Sequence, residues 1–378
     1  MTENAKYKEI HEALKSEILD GKYDIDHAFP SSTALARRFS TTRFTIRQAL
    51  DLLARDGFIF CRRGKGTFVR GRGKWRSNRI GLIVHGNNYC EVFPPMCKEL
   101  SRLVQERRGG ALLLGDISSV DPDERAARAE ALAKSFISQE VDGVIFQPIE
   151  FVADAEEENE RILSVFRAAG VPVVLLDYDC VLPPGRSGYD VIGVNDFAAG
   201  RMLGLHLAER GAKRVSFLSQ HHRAACICNR RSGVELACVE KGMAFRRLYA
   251  LPDEPRAIRR FLATFHPDAF VCYNDTEAVI LLRTLEKLGV SVPRDVMLAG
   301  CDDVFHAAYA SVPFTTIHKP VTAIAEGVLH RLYSRIENPS LPPIEICFDA
   351  PLVVRASTAP RPSPSGNGLP RRRKQEAK

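Results

Sequence analysis

Two sets of side chains in this 378-residue sequence could do chemistry. The first is basic. Arg43, Thr45, Arg47 and Gln48 fall away from an apolar stripe formed by Ile46, Ala49, Leu50 and Leu53 at helical spacing. Shortly after come Gly64, Lys65 and Gly66, a glycine hairpin tip that carries a cation. Arginine can fork onto guanine or grip phosphate, and glycines let backbone approach a groove with the lysine reaching in. The second set is polar and dispersed. His85, Asp177, Asn274 and Asp302 each follow a short apolar run, and Arg230 opens the segment after another. Carboxylates, an amide and a guanidinium converging on one cleft suit a ligand with many hydroxyls, because each makes paired hydrogen bonds and rejects ligands that leave it unpaired. Both sets have a plainer reading. Basic helix faces are often just solvated, and Asp or Asn at a strand end can cap the next helix. Asp275 and Asp303 fit that capping role, whereas Asp177, Asn274 and Asp302 as a set fit ligand contact better.

The elements that would position the basic set run over residues 30–69. A first helix carries Leu35, Ala36 and Phe39 inward, Ser40 and Thr41 make the turn, and Thr42 caps the second helix, which Gly57 ends. Short strands at 58–60 and 67–69 flank the glycine tip, and a helix over 5–20 with Tyr7, Ile10, Leu14 and Ile18 on one face packs behind. This is an α+β winged helix, a shape for entering duplex DNA. From residue 79 short apolar strands alternate with helices, first up to 171–177 and then again from a helix at 196–210 to 296–302. Such alternation predicts an α/β core of parallel sheets in two units, hence two lobes with a cleft, and ligands beyond the carboxyl ends of the strands.

The charge is unevenly placed. Residues 1–78 hold 16 Lys and Arg against 9 Asp and Glu, and residues 359–378 hold 6 against 1, so the net +7 of the whole chain leaves the middle mildly acidic. A polyanion-binding head on a body that does not bind nucleic acid fits this division. No apolar run approaches the ~20 residues of a membrane span, and the first residues lack the apolar core of a signal peptide, so the expected compartment is the cytoplasm. The ten cysteines follow no framework, and Cys226 with Cys228 lacks a second ligand pair, so neither disulfides nor a metal site is expected. A nucleophile elbow, phosphate loop or zinc motif is not seen, and no catalytic residue is assigned. Trp75 in the basic linker 71–78 is read as packed at the domain junction, and the tail 359–378 as disordered.

Two resemblances sharpen these expectations. Pro30-Ser31, Leu35-Ala36, Thr42 to Leu50, Gly57 and Gly64 to Val69 resemble the winged helix-turn-helix head of GntR-type bacterial regulators over about residues 7–70. The resemblance implies DNA contacts from Arg43, Phe44, Thr45, Arg47 and Gln48 on the recognition helix and from Lys65 and Gly66 on the wing; Thr33 stands where the family often has Arg. Residues 79–358 resemble the effector core of the LacI family, which shares its fold with periplasmic sugar-binding proteins. The matching pieces include Ile80 to Ile83, Val141 to Ile145, Val173 to Asp177, Val194-Asn195-Asp196, Arg230 with Gly233, Tyr273-Asn274-Asp275, Gly300 with Asp302-Asp303, and Pro351 to Arg355. By position this implies effector contacts from Asp177, Arg230, Asn274 and Asp302, an aromatic pocket wall at Phe93, and a ligand-facing Lys319. It also implies discontinuous lobes, about 79–188 with 319–338 and about 189–318 with 339–358. The two together resemble bacterial arabinose repressors. A homodimer on double-stranded operator DNA is then expected, controlled by a small polar effector bound between the lobes. That effector would be a pentose or hexose ahead of purines, with no cofactor and no membrane partner.

Overall fold

The computed structural model describes residues 3–19, 22–23, 28–55, 58–62, 66–69, 77–84, 92–117, 121–150, 152, 154–182, 184–220 and 224–360. Gly57, Gly64, Lys65, Trp75, His85 and the tail beyond residue 360 lie outside this set, so the readings placed on them are not addressed by it.

The head contains α1 (Glu3–Leu19), α2 (Ser32–Arg38), α3 (Arg43–Arg55), β1 (Ile59–Arg62) and β2 (Gly66–Val69). Ile10, Leu14 and Ile18 of α1 meet Leu35, Ile46, Ala49, Leu53, Ile59 and Val69 in one core. Three short helices and a hairpin can bury that much only because each offers one apolar face. Thr42 caps α3 as its sequence position predicts, its Oγ1 accepting from the Thr45 amide at 3.2 Å. Arg38 is tied back to α1, its guanidinium meeting Glu17 and the Tyr23 hydroxyl. That arginine holds the Glu17 carboxyl down at about 2.

The chain then lays down β3 (Arg79–Val84), α4 (Phe93–Arg108), β4 (Ala111–Asp116), α5 (Pro122–Ser138), β5 (Gly143–Phe146), α6 (Ala155–Ala168), β6 (Val173–Asp177) and β7 (Asp190–Val194). A second series follows: α7 (Asp196–Glu209), β8 (Arg214–Ser219), α8 (Ala225–Glu240), β9 (Ala244–Tyr249), α9 (Pro255–Phe265), β10 (Ala269–Cys272), α10 (Asp275–Lys287), β11 (Met297–Ala299), α11 (Phe305–Tyr309) and β12 (Thr316–Ile317). The chain closes with α12 (Val321–Glu337), β13 (Glu345–Phe348), β14 (Leu352–Val353) and a short 3-10 turn at Ala356–Thr358.

These elements form two compact units. The first spans Met1–Val194 and Pro320–Phe348, the second Asn195–Lys319 and Asp349–Lys378. In the first unit six strands pair in the order β13-β7-β6-β5-β3-β4, all parallel. Every residue of β5 is buried, as expected of a central strand covered on both faces. In the second unit the parallel order is β11-β10-β8-β9. The parallel α/β core read from the sequence is therefore the one observed.

The crossings differ from the sequence reading in detail. Strand β7 and strand β13 were placed in the second lobe, yet both pair in the first unit's sheet. The reason is a buried ion cluster. Asp190 at the start of β7 is 1% exposed, with Arg331 Nε and Arg335 Nη2 of α12 each 2.8 Å from its carboxylate. An isolated charge there would cost several kcal/mol, so β7 stays with the helix that neutralises it. Strand β13 ends in the first unit at Phe348, and β14 pairs with β12 in the second. No helix among the described residues is long and apolar enough to cross a membrane.

Candidate functional site

On the head, α3 presents Arg43, Phe44 and Arg47 to solvent with Gln48 half-buried beside them. Phe44 is 68% exposed, an apolar ring that burial in the head does not explain. Exposed apolar contact with a thymine methyl is one use for such a residue on a recognition helix. Gly66 opens β2 and is exposed. Thr45 does not belong with them. It is 2% exposed, and its hydroxyl lies 2.8 Å from that of Thr42. It stands four residues before Ala49, so it falls on the edge of the buried stripe and works in the helix cap rather than at an outer surface. The sequence reading of Thr45 as a DNA contact is corrected accordingly. Arg38, in the last turn of α2, is engaged by Glu17.

In the second unit the polar residues gather at the carboxyl edge of the β11-β10-β8-β9 sheet. Arg230 lies well inside α8 rather than opening it, because Ala225, Cys226 and Ile227 are buried and extend the helix backwards. Two glycines let α8 press against α7. A Cβ on Gly233 would sit 2.1 Å from the Phe197 carbonyl oxygen, and one on Gly200 would sit 1.9 Å from that of Arg230. This contact drives the Arg230 side chain into the unit. Its Nε and Nη2 donate to Asp196 Oδ1 at 3.1 and 2.5 Å, and its Nη1 donates to the Tyr273 carbonyl. Burial opposes the guanidinium charge, but the carboxylates of Asp196 and Asp302 keep its pKa well above the ordinary value. Asp196 was not picked out from the sequence as a site residue. Only its place inside the Val194-Asn195-Asp196 match hinted at a role.

Asp302 is 8% exposed and takes a positive φ of 112°, a backbone position L residues rarely hold. Its amide donates to the Ile317 carbonyl at 2.9 Å, and a bridge to His318 brings Lys319, also buried, alongside. Asn274 and Asp275 exchange the roles expected of them. Asn274 is the helix cap, its Oδ1 accepting from the Glu277 amide at 2.9 Å. Its amide nitrogen has no hydrogen-bond partner among the described residues, so the side chain keeps a donor that the fold does not use. Asp275 is fully buried instead, with the Val304 amide on Oδ2 at 3.0 Å and the Thr316 hydroxyl on Oδ1 at 2.7 Å. Asp303 is structural, held by Arg355 at 2.6 Å and His318 at 2.9 Å.

Burial, aided by the charge of Asp302, raises the Asp275 carboxyl from 3.8 to about 8. The neutral form therefore stabilises the fold fully below about pH 4, and that contribution is lost as pH rises through about 8. Asp275→Asn keeps an acceptor for Val304 and can donate to the Thr316 hydroxyl. It should flatten the fall in melting temperature between those pH values. An unchanged pH slope in the variant would refute this assignment.

In the first unit Asp177 ends β6 with a positive φ of 80° and is half-buried. Phe93, read as a pocket wall, is the first residue of α4 and is 4% exposed, so the ring is packed in that unit's fold. No group of three or more metal-ligating side chains is placed to hold an ion among the described residues.

With this geometry in hand, comparison with known proteins is informative. Residues 6–69 match the family of bacterial regulatory proteins of the gntR type, and residues 205–358 match the periplasmic binding protein-like domain. The arabinose metabolism transcriptional repressor of Geobacillus stearothermophilus is 26% identical over 378 residues, covering 93% of this chain and 97% of that protein. A transcriptional regulator CelR–cellobiose complex superposes with a TM-score of 0.64 at 21% identity, covering 90% of this chain and 94% of the other. A periplasmic binding protein/LacI transcriptional regulator from Alkaliphilus metalliredigens, complexed with D-xylulofuranose, gives a TM-score of 0.61 at 20% identity over 75% of this chain and all of the other.

Proposed function

We propose that this chain, which joins a gntR-type regulatory domain to a periplasmic binding protein-like domain, is a transcriptional repressor. A small polar ligand, a sugar in the first instance, sets its affinity for operator DNA. The observation that carries the reading is the buried polar cluster of Arg230, Asp196, Asn274 and Asp302 at a sheet's carboxyl edge, in the same chain as an exposed basic recognition helix. Relatives named as repressors and sugar-bound regulators of like fold support it. Arg43, Phe44, Arg47, Gln48, Lys65 and Gly66 are the assigned DNA contacts. Arg230, Asn274, Asp302 and Lys319 are the effector contacts of the second unit, and Asp177, Phe93 and His85 the candidates of the first. The protein acts as a cytoplasmic homodimer, two copies matching a pseudo-palindromic operator. The ligand can alter DNA binding only by favouring one of two conformations that hold operator unequally.

The test is a thermal-shift screen against arabinose, cellobiose and xylulose, followed by titration of a selected DNA duplex with and without any sugar that binds. A ligand at 100 times its Kd should stabilise the native state by about 2.7 kcal/mol. The expected result is stabilisation by one sugar together with a changed DNA affinity. Stabilisation by none, or chemical turnover of the sugar, would defeat the assignment.

A further inference from the structure

The carboxyl edge of the second unit's sheet holds a further group that the effector contacts above do not include. Gln220 follows β8, Asp253 follows β9, and Tyr273 and Glu277 flank the junction of β10 with α10. In a parallel sheet all these positions lie on the edge where ligands bind. Tyr273 and Glu277 are each 7% exposed, and the tyrosine hydroxyl donates to Glu277 Oε1 at 3.1 Å. The other oxygen, Oε2, is buried and has no hydrogen-bond partner among the described residues. Burial first, and Asp253 after it, push the Glu277 carboxyl up, while the Tyr273 hydroxyl and, more weakly, the Gln220 side chain, which lies near the carboxyl without reaching hydrogen-bond geometry, pull it down. No cation is among the groups acting on it. A buried acceptor left without a donor costs free energy, so a protein that keeps one at a ligand edge gains when a ligand supplies the missing hydrogen. Asn274, whose Oδ1 accepts from the Glu277 amide, places an amide donor on the same helical turn. An acceptor and a donor so close in the chain suit a hydroxyl, which can give one hydrogen bond and take another.

We propose that Glu277 is a specificity-determining residue of the effector site, its Oε2 accepting a hydrogen bond from one hydroxyl of an uncharged sugar. This deepens the repressor reading and rests on it. The carboxylate selects a ligand with a hydrogen-bond donor at that point and disfavours one that lacks it, since the buried oxygen would again be unpaired.

The test uses the full chain and calorimetric titration with arabinose, cellobiose and xylulose, each with its monodeoxy derivatives. Glu277→Met removes the acceptor at similar volume, and Glu277→Gln removes only the charge. In the wild type one particular deoxy derivative should bind about 10- to 100-fold more weakly than its parent sugar. In Glu277→Met that same gap should close to about twofold, while the gaps for the other hydroxyls persist, and Glu277→Gln should fall in between. If every hydroxyl keeps its wild-type gap, Oε2 serves the fold or a water and the inference is overturned. If the wild type binds none of these sugars, the repressor reading fails for sugars and this inference falls with it, a result distinct from the first. Melting curves of both variants establish that they are folded, and Glu277→Gln keeps an oxygen for Tyr273 should Glu277→Met unfold.

Discussion

Arg230→Met should destabilise the second unit by about 3–5 kcal/mol, the usual consequence of leaving a buried charge without its partner. Asp196 is 4% exposed, and Arg230 donates to its Oδ1 through both Nε and Nη2. The same substitution removes a donor to the Tyr273 carbonyl. A double variant, Asp196→Asn with Arg230→Met, removes the carboxylate that the guanidinium touches, leaves Asp302 beside the site, and should recover part of the loss. The measurement is urea unfolding of the four proteins in a cycle. Equal losses in the single and double variants would mean that the pair does not govern the unit's stability. The result bears on function, because an arginine that holds the fold and is proposed to meet the effector cannot be tested by truncation alone. Reduced induction in Arg230→Met counts as evidence for ligand contact only after the stability loss has been corrected by the double variant.

Arg47→Ala should abolish measurable operator binding while calorimetric sugar binding persists. Arg47 is exposed on α3, on the side away from Ile46, Ala49 and Leu53. A single forked contact to a base is worth about 1–3 kcal/mol, and the proposed homodimer loses it twice, so the expected drop is about 30- to 25,000-fold. Duplexes selected from a random pool by the wild type supply the probe. A phosphate contact would lower the slope of log affinity against log salt by about one per head, whereas a base contact would relax sequence preference at one position. Unchanged affinity for the selected duplex would remove Arg47 from the interface.

Much of the head was legible in the sequence because its signals are local. The stripe of Ile46, Ala49 and Leu53, the cap at Thr42 and the core face of α1 all follow from helical periodicity and one hydroxyl. Thr45 was misjudged although the signal was present, since four-residue spacing to Ala49 places it inward. The alternation of strands and helices was equally local, and it gave the parallel sheets of both units. At the effector residues legibility falls away. Asn274 and Asp275 are adjacent and both are common caps. Which one caps α10 depends on Thr316, 41 residues beyond Asp275, and on the Val304 amide, 29 residues beyond it.

By itself the sequence determined a basic winged head, two parallel α/β units and a set of polar residues at strand ends. Each of these depends on spacing within one element, where chain geometry alone decides which side chains share a face. The tertiary structure alone decided that Arg230 pairs with Asp196 across 34 residues. It alone decided that Asp190 binds β7 to a helix about 145 residues later, and that Glu277 Oε2 meets no hydrogen-bond donor among the described residues. Those outcomes turn on which desolvated charges find a partner when distant elements pack, and no local pattern records that.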